Sequence, residues 1–89
     1  MGTALIKIKI MPGSPDTDLN SIKEKAEQII SKCGENPKTE IKPIAFGLKA
    51  LILTFAIDES KSIDEIQNKL REINDVSSAE VIDFRRALG

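Results

Sequence analysis

The sequence is poor in the side chains on which most enzymes depend. Its 89 residues include no histidine, tryptophan or tyrosine, and a single cysteine, Cys33. Without histidine the chain lacks the commonest zinc ligand and the commonest general base, so hydrolytic chemistry is not expected. One cysteine excludes an internal disulfide and a Cys-x-x-Cys metal loop, and its place on an apolar helical stripe indicates a small core residue. We therefore expect no metal site, no cofactor and no covalent catalysis.

Long apolar runs and a strong net charge are absent as well. No stretch approaches the roughly 18 apolar residues that a membrane span needs, because Lys7 and Lys9 interrupt the isoleucines near the start. The 13 basic and 14 acidic residues leave a formal net charge of -1, so no long-range field draws the chain to nucleic acid or membrane. The length fits one compact domain, residues 1–89, which we expect to be cytoplasmic.

Hydrophobic periodicity predicts six elements in the order βαββαβ. Alternating isoleucines mark a first strand, apolar steps of three and four residues mark two helices, and two β-branched runs around Gly47 mark a hairpin. The predicted bounds are 3–11 for the first strand, 18–33 for the first helix, 39–46 and 48–57 for the hairpin strands, 63–73 for the second helix and 78–85 for the last strand.

Local signals support these helix ends. Thr17 or Asp18 can cap the first helix, and Gly34 suits a left-handed residue that ends it. Ser62 and Glu65 have the spacing of a capping box at the start of the second helix. Local signals as well as hydrophobic periodicity therefore define these helix ends.

Right-handed crossovers place both helices on one face of a four-stranded antiparallel sheet, which is the ferredoxin-like α+β arrangement. The other face of the sheet is left open. Strand alternation divides the side chains between the two faces. The helix-facing set is Ile6, Ile8, Leu51, Leu53 and Phe55, and the open face carries Lys7, Lys9, Ile52 and Thr54.

Several kinds of site fit the sequence poorly. Base stacking on RNA needs aromatic side chains on the open face, whereas Phe55 is predicted to turn inward. A phosphate-binding Gly-x-x-x-x-Gly-Lys loop is missing from the sequence. Asp16, Asp18 and Glu27 have offsets of a calcium loop, but Ser21 occupies its glycine position, so helix-start carboxylates are the simpler interpretation.

Two segments remain as candidates for contact with a partner. In PIAFGLKAL, residues 43–51, Phe46 and Gly47 form an apolar wedge on a tight turn, with the cation Lys49 nearby. Alternatively, Phe46 folds back over the core and Gly47 only supplies a positive φ. In VIDFRRALG, Arg85 and Arg86 point to opposite faces if the strand continues that far, or they are ordinary edge charges.

The segment at residues 43–51 resembles Pro-Ile-Gly-Phe-Gly-Ile-Lys-Lys-Leu of the translation elongation factor 1-beta family. The resemblance spans the whole chain, including Asp-Thr-Asp-Leu at 16–19 and Val-Ser-Ser-Ala-Glu-Val at 76–81. The length is similar to that of the archaeal form, which lacks the amino-terminal extension of the eukaryotic one.

This resemblance implies one guanine-nucleotide exchange domain over residues 1–89. Its partner would be the tRNA-carrying GTPase elongation factor 1-alpha, in the GDP-bound and nucleotide-free states, without membrane or direct nucleic-acid contact. The partner-binding residues carried over are Phe46, Gly47, Lys49, Arg85 and Arg86. Phe46 would contact the GTPase, and Arg86, where the family has lysine, would reach toward its magnesium and phosphate site.

Two other functions stay open at this point. A ribosome- or RNA-associated module would gather Lys7, Lys9, Lys49, Arg85 and Arg86 on one side, and would bind RNA with a steep salt dependence. A small-molecule regulatory domain would dimerise through its sheet and be stabilised by its ligand. The near-neutral charge weighs against the first, and no sequence feature supports the second.

Overall fold

The computed structural model of the chain describes residues 2–44, 47–58 and 60–87. The elements are β1 (Thr3–Pro12), α1 (Leu19–Cys33), β2 (Glu35–Pro43), β3 (Lys49–Asp58), α2 (Ile63–Arg71) and β4 (Val76–Ala87). The strands form one antiparallel sheet in the order β2-β3-β1-β4. This arrangement confirms the predicted ferredoxin-like fold. Within the described residues, no helix is long and apolar enough to cross a membrane.

One face of the sheet forms the core with the two helices. Ile6 of β1 lies opposite Phe55 of β3 and Phe84 of β4, and alternation from this row defines the helix-facing side. The predicted helix-facing residues are confirmed, since all five are buried in the core cluster. That cluster also includes Ile10, Ile22, Ala26, Ile30, Ile66, Leu70 and Ala79.

The opposite face is open but not entirely solvated. Ile52 of β3 lies on this face as predicted, in register with Lys9 of β1 and Glu40 of β2, yet only 4% of it is exposed. Its neighbours Lys9 and Glu40 are long charged side chains, a type that covers adjacent apolar surface with its methylene groups. The centre of the open face is therefore apolar beneath a charged rim.

The first helix begins as expected and ends differently. The Asp18 carboxylate accepts a hydrogen bond from the Asn20 amide at 3.0 Å, so Asp18 is the cap. The left-handed conformation predicted for Gly34 is wrong, because Gly34 is extended with φ -144° and β2 begins at the next residue. A Cβ atom at Gly34 would lie 2.8 Å from the Ala56 carbonyl oxygen. Glycine is needed here for space, not for a turn.

Two strands differ most from their predicted bounds. Strand β2 runs from Glu35 to Pro43 rather than over 39–46, and a register shift between Glu35 and Lys38 accommodates Pro37 at the sheet edge. Strand β4 runs from Val76 to Ala87 rather than 78–85. A second shift makes Ile82 an extra residue in the ladder with β1.

The second helix confirms its predicted start. The Ser62 hydroxyl accepts from the Glu65 amide at 3.3 Å, as a capping residue does. The helix ends at Arg71, two residues before the predicted end. Asp75 follows in a left-handed conformation with φ 69°, and its carbonyl accepts a 2.7 Å hydrogen bond from the Gly13 amide. This bond joins the β1–α1 loop to the α2–β4 loop.

Candidate functional site

The β2–β3 hairpin ends in a short turn. The Ile44 amide donates to the Leu48 carbonyl at 2.8 Å and closes the loop. Gly47 has φ 79°, which confirms that its backbone takes a positive φ, and no atom lies within 4 Å of a Cβ built there. Phe46 lies outside the described residues, so its exposure, like its contact with a partner, stays a prediction.

Lys49 is the first residue of β3 and is exposed at the same end of the sheet. It pairs with Pro43, which lies on the helix-facing side of the β2–β3 ladder two residues after Ile41. Lys49 forms no ion pair with any residue that the structure describes. The predicted cation therefore lies exposed at the hairpin end, near Gly47.

A groove that was not predicted from the sequence separates the hairpin from the β1–α1 loop. Its volume is about 360 Å³ and it opens to solvent. The hairpin contributes Ile41, Gly47 and Lys49, and the loop with the start of α1 contributes Pro12, Pro15 and Leu19. Leu19 and Ile41 are far apart in sequence, and only their positions in the folded sheet-and-helix layer bring them together.

The two arginines lie on the last strand, and β4 persists far enough to separate them. Arg85 is opposite Leu5 on the open face, whereas Arg86 is opposite Ala4 on the helix-facing side, as predicted. The Arg85 Nε atom lies 3.1 Å from a carboxylate oxygen of Asp83, and Asp83 is itself opposite Lys7. Arg85 thus belongs to a small network of open-face charges.

The hairpin and the arginines lie at opposite ends of the sheet. Arg86 is aligned through Ala4 with Ile57 of β3, while Lys49 begins the same strand. Eight residue steps separate Lys49 from Ile57, which is about 26 Å at roughly 3.3 Å per residue. The predicted partner-binding residues therefore form two groups and not one patch.

A second concavity, of about 320 Å³, lies at the arginine end. Lys32, Gly34, Asp58 and Lys61 are among its lining residues. A hydrogen bond from the Ser60 amide to the Asp58 carboxylate, 2.8 Å long, is the main cause that lowers the pKa of Asp58. The positive charge of Lys61 lowers this pKa further. The arginine end therefore has both lysines and an ionised carboxylate around this concavity.

The carboxylates that have the offsets of a calcium loop have other roles in the structure. Asp18 caps α1, and Glu27 accepts a hydrogen bond from the Thr39 hydroxyl at 3.0 Å. Within residues 2–44, 47–58 and 60–87, no group of three or more histidine, cysteine, aspartate or glutamate residues is placed to hold a metal ion. The side chain of Cys33 lies outside the described part of the chain.

The open face gives RNA no stacking platform in the described part of the chain. Phe55 is buried against the helices, and Phe84, which is half-exposed, belongs to the same helix-facing row. Cations and acids are interspersed on the open face; the cations include Lys7, Lys9, Lys38, Lys42 and Arg85, and the acids include Glu40, Asp58, Glu80 and Asp83. No observation on the described residues favours an RNA-associated module over the other functions.

The segment that matches known proteins includes both ends of the sheet. The family model described as EF-1 guanine nucleotide exchange domain matches residues 5–87. The chain is 40% identical to elongation factor 1-beta of Nanoarchaeum equitans over 81 residues, which are 90% of this chain and 100% of that protein. It is 37% identical to elongation factor 1-beta of Methanobrevibacter smithii over 89 residues, covering 99% of this chain and 100% of that protein.

Proposed function

Because this chain belongs to the EF-1 guanine nucleotide exchange domain family, we propose that it accelerates GDP release from the tRNA-carrying GTPase EF-1 alpha and so promotes GTP loading. The observation that carries the proposal is the extent of the family match. Residues 5–87 include both the hairpin and the two arginines. In this proposal residues 1–89 act as one exchange domain in the cytoplasm.

Exchange of this kind needs no bond to be made or broken in this chain. The factor has only to bind the nucleotide-free GTPase more tightly than the nucleotide-bound form. Thermodynamic linkage then requires that the bound factor weaken the nucleotide by the same ratio. Once GDP has left, GTP enters the empty site.

The two ends of the sheet have different parts in the proposed mechanism. Arg86 faces the magnesium and phosphate site, where its positive charge competes with the ion that bridges GDP to the GTPase. A guanidinium can also bind a carboxylate or phosphate through two parallel hydrogen bonds. The hairpin, with Phe46 and Lys49, contacts a second region of the GTPase. The 26 Å estimated above is then the separation of these two contacts along the strand direction.

A release assay tests the proposal. EF-1 alpha is loaded with labelled GDP, and the loss of label is followed in excess unlabelled GTP with increasing concentrations of this protein. We expect the release rate to rise with concentration and to saturate when the GTPase is fully bound. A release rate that stays at its basal value at every concentration overturns the proposal.

A further inference from the structure

The floor of the groove between the hairpin and the β1–α1 loop is the exposed side chain of Ile41, which lies among both apolar and polar lining residues. Ile41, Leu51, Ile10 and Ala79 form one row across the four strands on the helix-facing side. Leu51, Ile10 and Ala79 are fully buried, whereas Ile41 on the edge strand β2 is 48% exposed. The groove therefore continues the hydrophobic core to the surface, where burial by a partner is favourable.

The loop wall of the groove is held in place by its own hydrogen bonds. The Ser14 hydroxyl accepts from the Asp16 amide at 3.2 Å, and the Ser14 carbonyl accepts from the Thr17 amide at 3.2 Å. The Gly13 amide is bound to the Asp75 carbonyl at 2.7 Å. Because these bonds fix the wall before a partner arrives, docking costs less conformational entropy.

The groove carries one charge of each sign, and they differ in their partners among the described residues. Lys49 and Asp18 both line it. The Asp18 carboxylate is engaged by the Asn20 amide at the start of α1. Lys49 forms no ion pair within the described residues, so it is the group that favours a complementary acidic partner.

We propose that this groove binds a short segment of the GTPase that carries an apolar side chain beside a carboxylate. The apolar side chain packs on Ile41 and Leu19, and the carboxylate pairs with Lys49. The volume of about 360 Å³ is at the lower end of the roughly 300–1,000 Å³ of small-ligand pockets, and the groove opens to solvent. This form suits one or two protruding side chains. The inference rests on the proposed function and adds Ile41 and Leu19 to the partner-binding residues.

Two isoleucines allow a matched test. Ile41 and Ile82 are each 48% exposed and lie on the two opposite edge strands, but only Ile41 lines the groove. Affinity for nucleotide-free EF-1 alpha is measured by titration for wild type, Ile41→Glu and Ile82→Glu. We expect Ile41→Glu to weaken binding roughly tenfold or more and Ile82→Glu to change it less than about threefold. Thermal unfolding of each variant shows whether its fold is retained.

A charge variant tests the same groove without touching its floor. Lys49→Gln removes the groove cation, and Lys25→Gln removes an exposed cation of α1 as the control. We expect Lys49→Gln to weaken binding several-fold at low salt and to reduce the salt dependence of the affinity, with Lys25→Gln resembling wild type. Because Lys49 is exposed, this variant is informative even if Ile41→Glu proves unstable.

The outcomes separate this inference from the proposed function. If wild type binds and stimulates release, but both isoleucine variants or both lysine variants behave alike, the groove proposal is wrong and the exchange function stands. If wild type binds without stimulating release, the exchange function is wrong, and the affinities of the variants still decide on the groove. If wild type does not bind at all, both proposals fail. The groove proposal is supported if the Ile41→Glu and Lys49→Gln variants bind the GTPase more weakly than wild type and the two control variants do not.

Discussion

The two ends of the sheet present different kinds of surface. The hairpin end has a groove with an apolar floor, a hydrogen-bonded loop wall and one lysine. The other end has two arginines on opposite faces of β4 and the lysines of a second concavity. The groove is lined by more apolar side chains, and the second concavity is lined by more cations. For a partner that binds both ends, the contacts at the two ends are therefore expected to differ in how strongly they depend on salt concentration.

The glycines at the two ends show the same contrast. Gly47 has a positive φ and open space around it, whereas Gly34 is extended and lies against Ala56 and Ile57. At the hairpin end glycine is required by backbone conformation. At the arginine end it is required because the end of α1 approaches β3 too closely for any side chain.

The largest effect is expected from the charge at the arginine end. Arg86→Ala should reduce the stimulated GDP-release rate by about 10- to 100-fold, since hydrogen bonds to charged groups contribute roughly 1.5–3 kcal/mol. Arg86→Lys should retain most of the activity. Arg85→Ala should have a smaller effect, because Arg85 lies on the opposite face of β4 from Arg86. Equal losses for Arg85→Ala and Arg86→Ala would contradict the distinct role assigned to Arg86.

The next largest effect is expected on the stability of variants at the two glycines, Gly34 and Gly47. Gly34→Ala should destabilise the fold by about 1–3 kcal/mol, because its Cβ would be 2.8 Å from the Ala56 oxygen. Gly47→Ala should cost about 1–2 kcal/mol through its left-handed backbone. Asparagine, which tolerates that conformation, should be accepted better than alanine at 47 and worse at 34. Chemical denaturation of the four variants measures the free energies of unfolding, and the same ranking of the two residues at both positions would refute the distinction.

A smaller effect on exchange is expected at the hairpin tip. Phe46→Ala should weaken stimulation roughly tenfold while leaving the melting temperature nearly unchanged. Because the contact is apolar, the loss should be similar at low and high salt, unlike the loss for Arg86→Ala. A melting temperature that drops sharply for Phe46→Ala would instead support the alternative in which this side chain packs on the core.

The smallest effect is expected in the pH dependence of stability, through Asp58 at the arginine end. The pKa of Asp58 is lowered in the folded protein, so its contribution to stability is present at neutral pH and is lost as pH falls below roughly 4. Asp58→Asn should therefore be slightly less stable than wild type at pH 7, and the difference should vanish in acid. Asp16→Asn, at the hairpin end, controls for the loss of one surface carboxylate. A difference that grows in acid would contradict the assignment.

Much of the fold could be predicted because its signals are local. Alternating isoleucines in β1 and the serine cap of α2 each define an element within a few residues. The start of β2 was missed because Asn36 and Pro37 are typical of loops, and a bulge accommodates them at the sheet edge. The adjacent apolar pair Val81 and Ile82 was a usable signal for the bulge in β4, since it breaks strict alternation.

The candidate site was less predictable because it depends on tertiary structure. Gly47 and Lys49 were identified from one continuous motif, and the arginines from another. That the two motifs lie at opposite ends of the sheet follows only from the strand register. The groove depends on Ile41 and Leu19, which no local pattern connects.

The direct passage from α1 into β2 at Gly34 has a mechanical consequence. Because β2 begins at the residue after Gly34, no loop can absorb a tilt of the helix. Strand β2 runs from the arginine end to the hairpin end, where it carries Ile41. The end of α1 is therefore tied to the edge strand that carries Ile41, with only the irregular pairing between Glu35 and Lys38 between the helix and the regular ladder.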